Sequence, residues 1–191
     1  VKWQWRGTVR RGVITVEAGE GGLQVYENTV EGRTKTLRSP QQIGMLANDR
    51  ARSPRAPKNT LAPGVDLPEL SRGMGGIGLP GDLSSMSRFV KVAFTRGNSK
   101  SADDEMSSVS QFFHILGSVE QQRGCCELDA GQYEITLYTR CCNADTGVYY
   151  YTTYDNNQIT AVSIHHEDLD GVALVHYPII QNQNIFCQNS K

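Results

Sequence analysis

No run of apolar residues in the sequence is long enough to cross a bilayer, so a membrane-spanning protein is not expected. The basic N-terminus, VKWQWRGTVRRGV, lacks the apolar core of a secretory signal. The net charge is only −1, which gives no reason to expect nucleic acid or an anionic membrane as a partner. The 191 residues suit one domain, or one large piece of one. Because Val1 is not an initiator methionine, we expect a chain that is processed, trimmed or read from an incomplete gene.

The sequence also lacks a disulfide framework. Its five cysteines are an odd number, and four of them form two adjacent pairs without the two-residue spacing of a zinc knuckle. We expect small buried side chains in a reducing compartment rather than a metal or redox site, which predicts a cytoplasmic protein. The cysteines are Cys125, Cys126, Cys141, Cys142 and Cys187.

Residues 31–58 have few apolar side chains and follow neither a helical nor a strand period. Seven basic residues minus two acidic ones give this segment a local charge of +5. A nucleic-acid patch is one interpretation. We favour a solvated, poorly ordered segment, because no aromatic residues lie between the charges to stack on bases.

Residues 59–83 are rich in glycine and proline and have the composition of a loop. The densest part, SRGMGGIGLPGDLSS, precedes a predicted helix, as a phosphate-binding loop would. It lacks the Lys-Ser/Thr pair that closes a P-loop. We therefore expect these glycines to allow other backbone segments to approach closely.

Two helices are predicted in the middle of the chain. The first follows a cap formed by Asp82, Ser84 or Ser85. The second runs from about Met106 to Gln122 and stops at Gly124. Both have apolar residues at helical spacing. These are Met86, Phe89, Val90, Ala93 and Phe94 in the first helix, and Val109, Phe112, Phe113, Leu116 and Val119 in the second.

Strands are predicted on both sides of the helices. Residues 12–28 have two apolar runs around AGEGG, which predicts a hairpin. The stretch QYEITLYTRCC alternates with a period of two. Two further β-rich runs flank Asp155-Asn156-Asn157, which predicts a second hairpin. Two strands, two helices and then more strands indicate an α+β protein with helices packed on mainly antiparallel sheets.

Arg88 is the most unusual residue of the first predicted helix. It lies in the first turn, where backbone N–H groups already concentrate partial positive charge and disfavour a cation. One interpretation is a surface arginine whose stem covers apolar atoms. The other is a charge held after a glycine-rich loop to meet an anion or to polarise a reacting group. The residues alone leave both interpretations open.

The histidines are weaker candidates. His114 lies beside Phe113 in the second helix, where a half-buried histidine with satisfied hydrogen bonds is favoured over a catalytic base. His165 and His166 are adjacent and cannot easily share a metal ion, so we expect solvated turn residues. No serine lies in a nucleophile elbow. Taken alone, these motifs do not identify a reaction.

Several long stretches together resemble one family. SRGMGGIGLPGDLSSMSRFVKVAF, SVSQFFHILGSVEQQRG, YEITLYTRCCN and GVYYYTTYDNNQITAV closely resemble the C-terminal half of choloylglycine hydrolases. This family comprises conjugated bile salt hydrolases and penicillin V acylases. The resemblance runs from about Gly12 to Pro178, except at residues 31–53, and is greatest to bile salt hydrolases of intestinal Gram-positive bacteria.

The resemblance implies an N-terminal-nucleophile hydrolase. Its fold would be part of a four-layer αββα sandwich, with antiparallel sheets and two central helices, in a cytoplasmic homotetramer. The family cleaves the amide between a bile acid and glycine or taurine without a cofactor or metal. An N-terminal cysteine attacks, and its own α-amine takes and returns the proton. The arginine of the family motif SSxSRF lies beside that cysteine and matches Arg88, which is thus the implied catalytic residue. Conjugated bile acids, rather than nucleic acid or a membrane, would be the partners.

The chain departs from the family pattern in two places. Val1 has no nucleophilic atom, and the family's N-terminal half is absent. A gapless alignment puts Thr34, Lys35, Thr36 and Leu37 within the segment where LTNNP is expected, so that both asparagines of the oxyanion site are lost. We interpret residues 31–58 as a family strand and loop altered by sequence damage or frame errors.

These departures predict that the chain is one incomplete domain over residues 1–191 and is inactive alone. It would bind anions or a complementary half at most weakly. A penicillin V acylase-like amidase remains an alternative to a bile salt hydrolase, and the sequence does not decide between glycine and taurine conjugates.

Overall fold

The computed structural model describes the backbone of residues 4–9, 12–19, 22–27 and 39–189, and the side chains of residues 40–189. These residues form two compact units that divide between Lys100 and Ser101. Each unit contains an antiparallel sheet and at least one helix, which confirms the predicted α+β class. The expectation of a single incomplete domain stays a prediction. No helix in the described part of the chain is long and apolar enough to cross a membrane.

The first unit begins with a three-stranded antiparallel sheet in the order β1 (Gln4–Val9), β2 (Gly12–Gly19) and β3 (Gly22–Glu27). Gly19 lies opposite Gly22, which confirms the hairpin predicted for residues 12–28. Strand β1 was not predicted, because its sequence QWRGTV contains a glycine and only two apolar residues.

Helix α1 (Ser39–Met45) lies in the basic segment and is followed by a 3-10 turn over Leu46–Asp49. The apolar residues of this segment follow no period, and the family resemblance indicated an altered strand and loop, so neither line of reasoning predicted this helix. Pro40 suits the first turn of a helix, where its missing N–H leaves no hydrogen bond unmade. The Gln42 side chain is only 2% exposed, so this short helix has a buried side. Residues 31–38 lie outside the described residues, and poor order across the whole of residues 31–58 stays a prediction.

Helix α2 (Ser85–Asn98) confirms the first predicted helix, and Ser84 is its N-cap. Phe89 and Val90 are 1% and 4% exposed, as the apolar pattern predicted. Met86 was expected on the same buried face but is 49% exposed. The buried face of α2 therefore begins after the first helical turn.

The second unit begins with helix α3 (Glu105–Gly117). The sequence predicted that this helix continues to Gln122 and stops at Gly124. The helix ends earlier, at a glycine of low helix propensity. The next two N–H groups, of Val119 and Glu120, bond three residues back, to the carbonyl oxygens of Leu116 and Gly117, instead of four. Gly124 instead lies in a later turn, with φ of 93°.

The sheet of the second unit has the order β4 (Tyr138–Asn143), β5 (Val148–Thr153) and β6 (Asn156–Ser163). All pairs are antiparallel, and the β5–β6 hairpin was predicted. Its turn is displaced from the predicted centre, because Asn156 pairs with Thr153 and already belongs to β6. Residues 132–137 were expected to form a strand but contain only an isolated bridge at Tyr133.

Candidate active site

Arg88 lies in the first turn of α2, as predicted. The helix begins at Ser85, and the Arg88 N–H makes an early intrahelical bond to the carbonyl oxygen of Ser84, 3.0 Å away. The side chain is half-buried. Because Phe89 and Val90 are buried immediately after it, the backbone that carries the guanidinium is firmly anchored.

A compact polar network caps the helix in front of Arg88. Ser84 Oγ accepts a hydrogen bond from the Ser87 N–H at 3.3 Å. Asp82 accepts from the Ser84 N–H through Oδ1 at 2.9 Å and from Ser87 Oγ through Oδ2 at 2.5 Å. Of the three residues that the sequence offered as caps, Ser84 is therefore the N-cap, and Asp82 supports it.

The same bonds keep Asp82 ionised. Hydrogen bonds from Ser84 and Ser87 lower the pKa of Asp82 from its ordinary 3.8 to about 2. A carboxylate at this position interacts favourably with the partial positive charge of a helix N-terminus. Asp82 thus provides the anion that the first turn of α2 lacks, which helps to explain how a cation such as Arg88 is tolerated there.

The glycine-rich loop before α2 packs against another loop. The Ser53 N–H donates to the Gly75 carbonyl oxygen at 3.1 Å, and a Cβ added to Gly75 would lie 2.0 Å from the Arg55 carbonyl oxygen. Gly78 has φ of 81°, and a Cβ there would lie 2.6 Å from Arg52 Nη2. The predicted close approach of another backbone segment is confirmed at Gly75, whereas Gly78 meets a side chain and an added Cβ at Gly73 or Gly81 would meet no described atom within 4 Å. Arg52, which is part of the basic segment, also pairs with Asp49 at 3.5 Å.

The histidines lie apart from any network like that at Asp82. His114 is exposed on α3, so the expectation of a half-buried histidine is wrong; the ring lies on the polar side of the helix. His165 and His166 are exposed in a short 3-10 turn, which confirms the turn prediction. The His165 ring lies against Gly147, where an added Cβ would be 2.5 Å from Nε2.

The cysteines are more accessible than predicted. None of the five is buried, and none is in a disulfide bond. Cys141 and Cys142 are half-buried and exposed respectively, because neighbouring strand residues point to opposite faces of the sheet. Burial raises the pKa of the Cys141 thiol. In the part of the chain that the structure describes, no three His, Cys, Asp or Glu residues are grouped so that they could hold a metal ion.

Glu105 is a polar centre that the sequence analysis missed. Its Oε1 accepts hydrogen bonds from Asn143 Nδ2, Thr146 Oγ1 and Tyr150 OH at 2.8, 2.9 and 2.8 Å. The bond from Tyr150, followed by those from Asn143 and Thr146, lowers the pKa of Glu105, and the bond to Glu105 raises the pKa of Tyr150. This carboxylate joins α3 to the β4–β5 turn, which indicates a structural role.

Arg88 is therefore the candidate whose surroundings best suit chemistry. A guanidinium can stabilise a thiolate or an oxyanion and can bind a carboxylate or sulfonate, but it does not attack a carbonyl. A complete site would require a nucleophile beside it.

The sequence matches one family model. The model of linear amide C–N hydrolases, choloylglycine hydrolase family, covers residues 7–177. The bile salt hydrolase/transferase of Lactiplantibacillus plantarum is 50% identical over 185 residues, or 97% of this chain and 57% of that protein. The bile salt hydrolase/transferase of Clostridium perfringens is 40% identical over 171 residues, or 86% of this chain and 50% of that protein. The chain thus spans about half the length of the curated relatives that it matches.

Solved structures have the same fold. A mutant of the conjugated bile acid hydrolase from Clostridium perfringens matches with a TM-score of 0.83 and 31% identity, over 93% of this chain and 54% of that chain. The penicillin V acylase from Agrobacterium tumefaciens matches with a TM-score of 0.57 and 13% identity, over 80% of this chain and 42% of that chain, a likeness of fold alone. These matches confirm the fold class and the family that the motifs indicated.

Proposed function

The chain belongs to the choloylglycine hydrolase family of linear amide C–N hydrolases, and we propose that it is part of an enzyme that hydrolyses glycine- or taurine-conjugated bile acids. The 50% identity to the Lactiplantibacillus plantarum protein carries this proposal. The likeness to penicillin V acylase is much weaker and gives less support to that substrate. By the same resemblance, the complete enzyme would be a cytoplasmic homotetramer.

We assign Arg88 to the charge that develops during amide cleavage. Family enzymes attack the amide with an N-terminal cysteine, and a neighbouring guanidinium would lower the pKa of that thiol and favour the reactive thiolate. The cap formed by Asp82, Ser84 and Ser87 supports this role, because it fixes the start of the helix from which Arg88 extends.

The 191 residues alone would not turn over substrate. The cysteines of the chain are all internal, and Lys35 and Thr36 stand where the family's oxyanion asparagines are expected. Removing an oxyanion donor typically costs about 10² to 10³ in rate. The 191 residues alone would therefore release no amino acid from conjugated bile acids.

A hybrid enzyme tests the proposal. The hybrid consists of the part of the Lactiplantibacillus plantarum enzyme that this chain does not match, followed by residues 1–191. Release of glycine from glycocholate, or taurine from taurocholate, is measured with ninhydrin. We expect no release from the isolated chain, weak release from the hybrid, and faster release after Lys35→Asn and Thr36→Asn are introduced together.

The role of Arg88 is tested in the asparagine-restored hybrid. Arg88→Met should lower kcat/KM at least 100-fold, in line with the loss of about 10² to 10³ for an electrostatic contact to the reacting atoms. Arg96→Met changes an arginine at the other end of the same helix and should alter kcat/KM less than about twofold. A folded, restored hybrid without activity would overturn the proposed function. An active Arg88→Met hybrid would overturn only the role of Arg88.

A further inference from the structure

The second unit contains a cavity of about 440 Å³ on one face of the β4–β6 sheet. Tyr150 points to the opposite face, where it contacts Glu105 of α3. Tyr149 and Tyr151 point into the cavity, because side chains alternate along a strand. Their ring centroids are 6.2 Å apart, with a 40° angle between the ring planes.

The chain after β6 forms an outer wall of this cavity. The Ile180 N–H donates to Tyr151 OH at 3.1 Å, and Asn156 Nδ2 donates to the Ile180 carbonyl oxygen at 3.3 Å. Farther along, the Gln158 amide bonds both backbone groups of Asn184, at 2.8 and 3.1 Å. These bonds attach the C-terminal segment to the sheet and hold Tyr177 and Ile179 at the cavity.

Arg140 is the one charged side chain among the described residues that line the cavity. Its guanidinium lies 5.7 Å from the ring centroid of Tyr138. A hydrogen bond with Tyr149, with a smaller contribution from Tyr138, raises the pKa of Arg140. Within residues 40–189, no carboxylate forms a salt bridge with it. The cavity therefore combines aromatic walls with one cation.

We propose that this cavity binds a small aromatic carboxylate. The carboxylate would pair with Arg140, whose planar donors fit two carboxylate oxygens, and the ring would contact Tyr149 and Tyr151. The volume lies within the range of about 300 to 1,000 Å³ that is typical of small-molecule sites lined by apolar groups and a few polar ones. The site belongs to the second unit alone and does not depend on Arg88 or on the proposed function.

An added β-strand and a second copy of the chain fit this face of the sheet less well than a small ligand does. β5 is the central strand, so its backbone groups already pair with β4 and β6 and cannot pair with an added strand. A second copy of the chain would bring its own Arg140 to a symmetric contact, where two like charges would face each other. The single positive charge, on Arg140, therefore favours a small anion as the ligand of the cavity.

Binding of 2-naphthoate to the 191-residue chain tests this site, with the neutral 2-naphthalenemethanol as a matched ligand. Titration calorimetry should give a submillimolar Kd for 2-naphthoate. Arg140→Met should weaken 2-naphthoate about 10-fold or more, as expected when a charge-assisted bond is lost, and the alcohol less than twofold. Arg123→Met is the control, because Arg123 also lies over a tyrosine ring, 4.9 Å from the Tyr154 centroid, but outside the cavity. It should change neither affinity.

A second variant tests the cavity wall. Tyr151→Phe removes the hydroxyl that holds Ile180 and should weaken both ligands to a similar extent. Circular dichroism confirms that each variant is folded. The proposal is overturned if folded Arg140→Met binds 2-naphthoate as the wild type does, or if the wild type does not bind it. It is also overturned if sedimentation shows a dimer in which this face is protected from hydrogen exchange, because a second copy would then cover the cavity.

Discussion

Helices α2 and α3 begin with the same kind of cap but differ in what else their first turns contact. In α2, Ser84 caps the helix with support from Asp82, and each partner lies within five residues of the other. In α3, Asp104 Oδ1 accepts from the Ser107 N–H at 2.8 Å. Glu105 then bonds residues as far away as Tyr150, 45 positions along the chain.

The N-terminal ends of the two helices are therefore stabilised in two different ways. The start of α2 is stabilised locally, which suits a helix whose first turn carries the residue that we propose to act in the chemistry. The start of α3 is joined to the β4–β5 turn by one carboxylate, which suits a structural role. The comparison predicts that mutations at α3 disturb the second unit as a whole, while mutations at α2 have local effects.

The largest effect on stability is expected from Glu105→Ala. The change leaves three donors without their acceptor. Two of them, on Asn143 and Tyr150, are partly buried, where the loss of a hydrogen-bond partner is costly. The urea midpoint should fall more than in Asn143→Ala, Thr146→Val or Tyr150→Phe, each of which removes one donor. Hydrogen exchange should show faster exchange in both α3 and β4. Glu127→Ala, at an exposed glutamate, is the control. Faster exchange in α3 alone, with β4 unchanged, would contradict the expectation that Glu105 holds the helix and the sheet together.

Acid should weaken both helix starts, beginning at a higher pH for Glu105 of α3 than for Asp82 of α2. The folded pKa of Glu105 lies below its ordinary 4.5, so the folded state binds fewer protons, and its stabilisation is lost as pH falls below about 4.5. The stabilisation from Asp82 is lost as the pH falls from the ordinary pKa of this group, 3.8, to its folded pKa of about 2. Urea midpoints measured from pH 6 to pH 2.5 should therefore fall. Glu105→Gln should lower the midpoint at pH 6 but flatten the decline. An unchanged slope in this variant would show that Glu105 is not the group that titrates.

The two caps also show what the sequence could and could not predict. Ser84 was one of three candidate caps because small polar residues precede an apolar helical pattern, a signal within one turn of chain. The bonds of Glu105 could not be predicted, because they depend on the register that brings the β4–β5 turn to α3. Arg88 could likewise be placed on a helix from local spacing, whereas its proposed role came from the family motif and not from the physics of the helix. Helix α1 was missed because few apolar residues mark its buried side.

A smaller, local effect is expected from Ser84→Ala. Loss of an N-cap serine costs about 1 kcal/mol. Amides in the first turn of α2 should exchange faster, while those of α3 should be unchanged. Ser110→Ala, at an exposed position within α3, controls for the change of side chain and should cost no stability. Faster exchange in β4 or α3 after Ser84→Ala would contradict the local nature of this cap.

The smallest effect on stability is expected from Arg88→Gln. Removing a cation from the first turn relieves an unfavourable interaction of about 0.3 to 1 kcal/mol with the helix dipole. Loss of the packing of its aliphatic stem opposes this gain, so the net change in the free energy of unfolding should be below about 0.5 kcal/mol. Arg96→Gln, in the last turn, removes a favourable cation and should be slightly destabilising.

Two measurements together decide the role of Arg88: urea unfolding of both variants, and kcat/KM of the hybrid that carries Arg88→Gln. Lost activity with unchanged stability would place Arg88 in the chemistry of the site, whereas a loss of stability above about 1 kcal/mol would make it a structural residue and remove the contrast with Glu105.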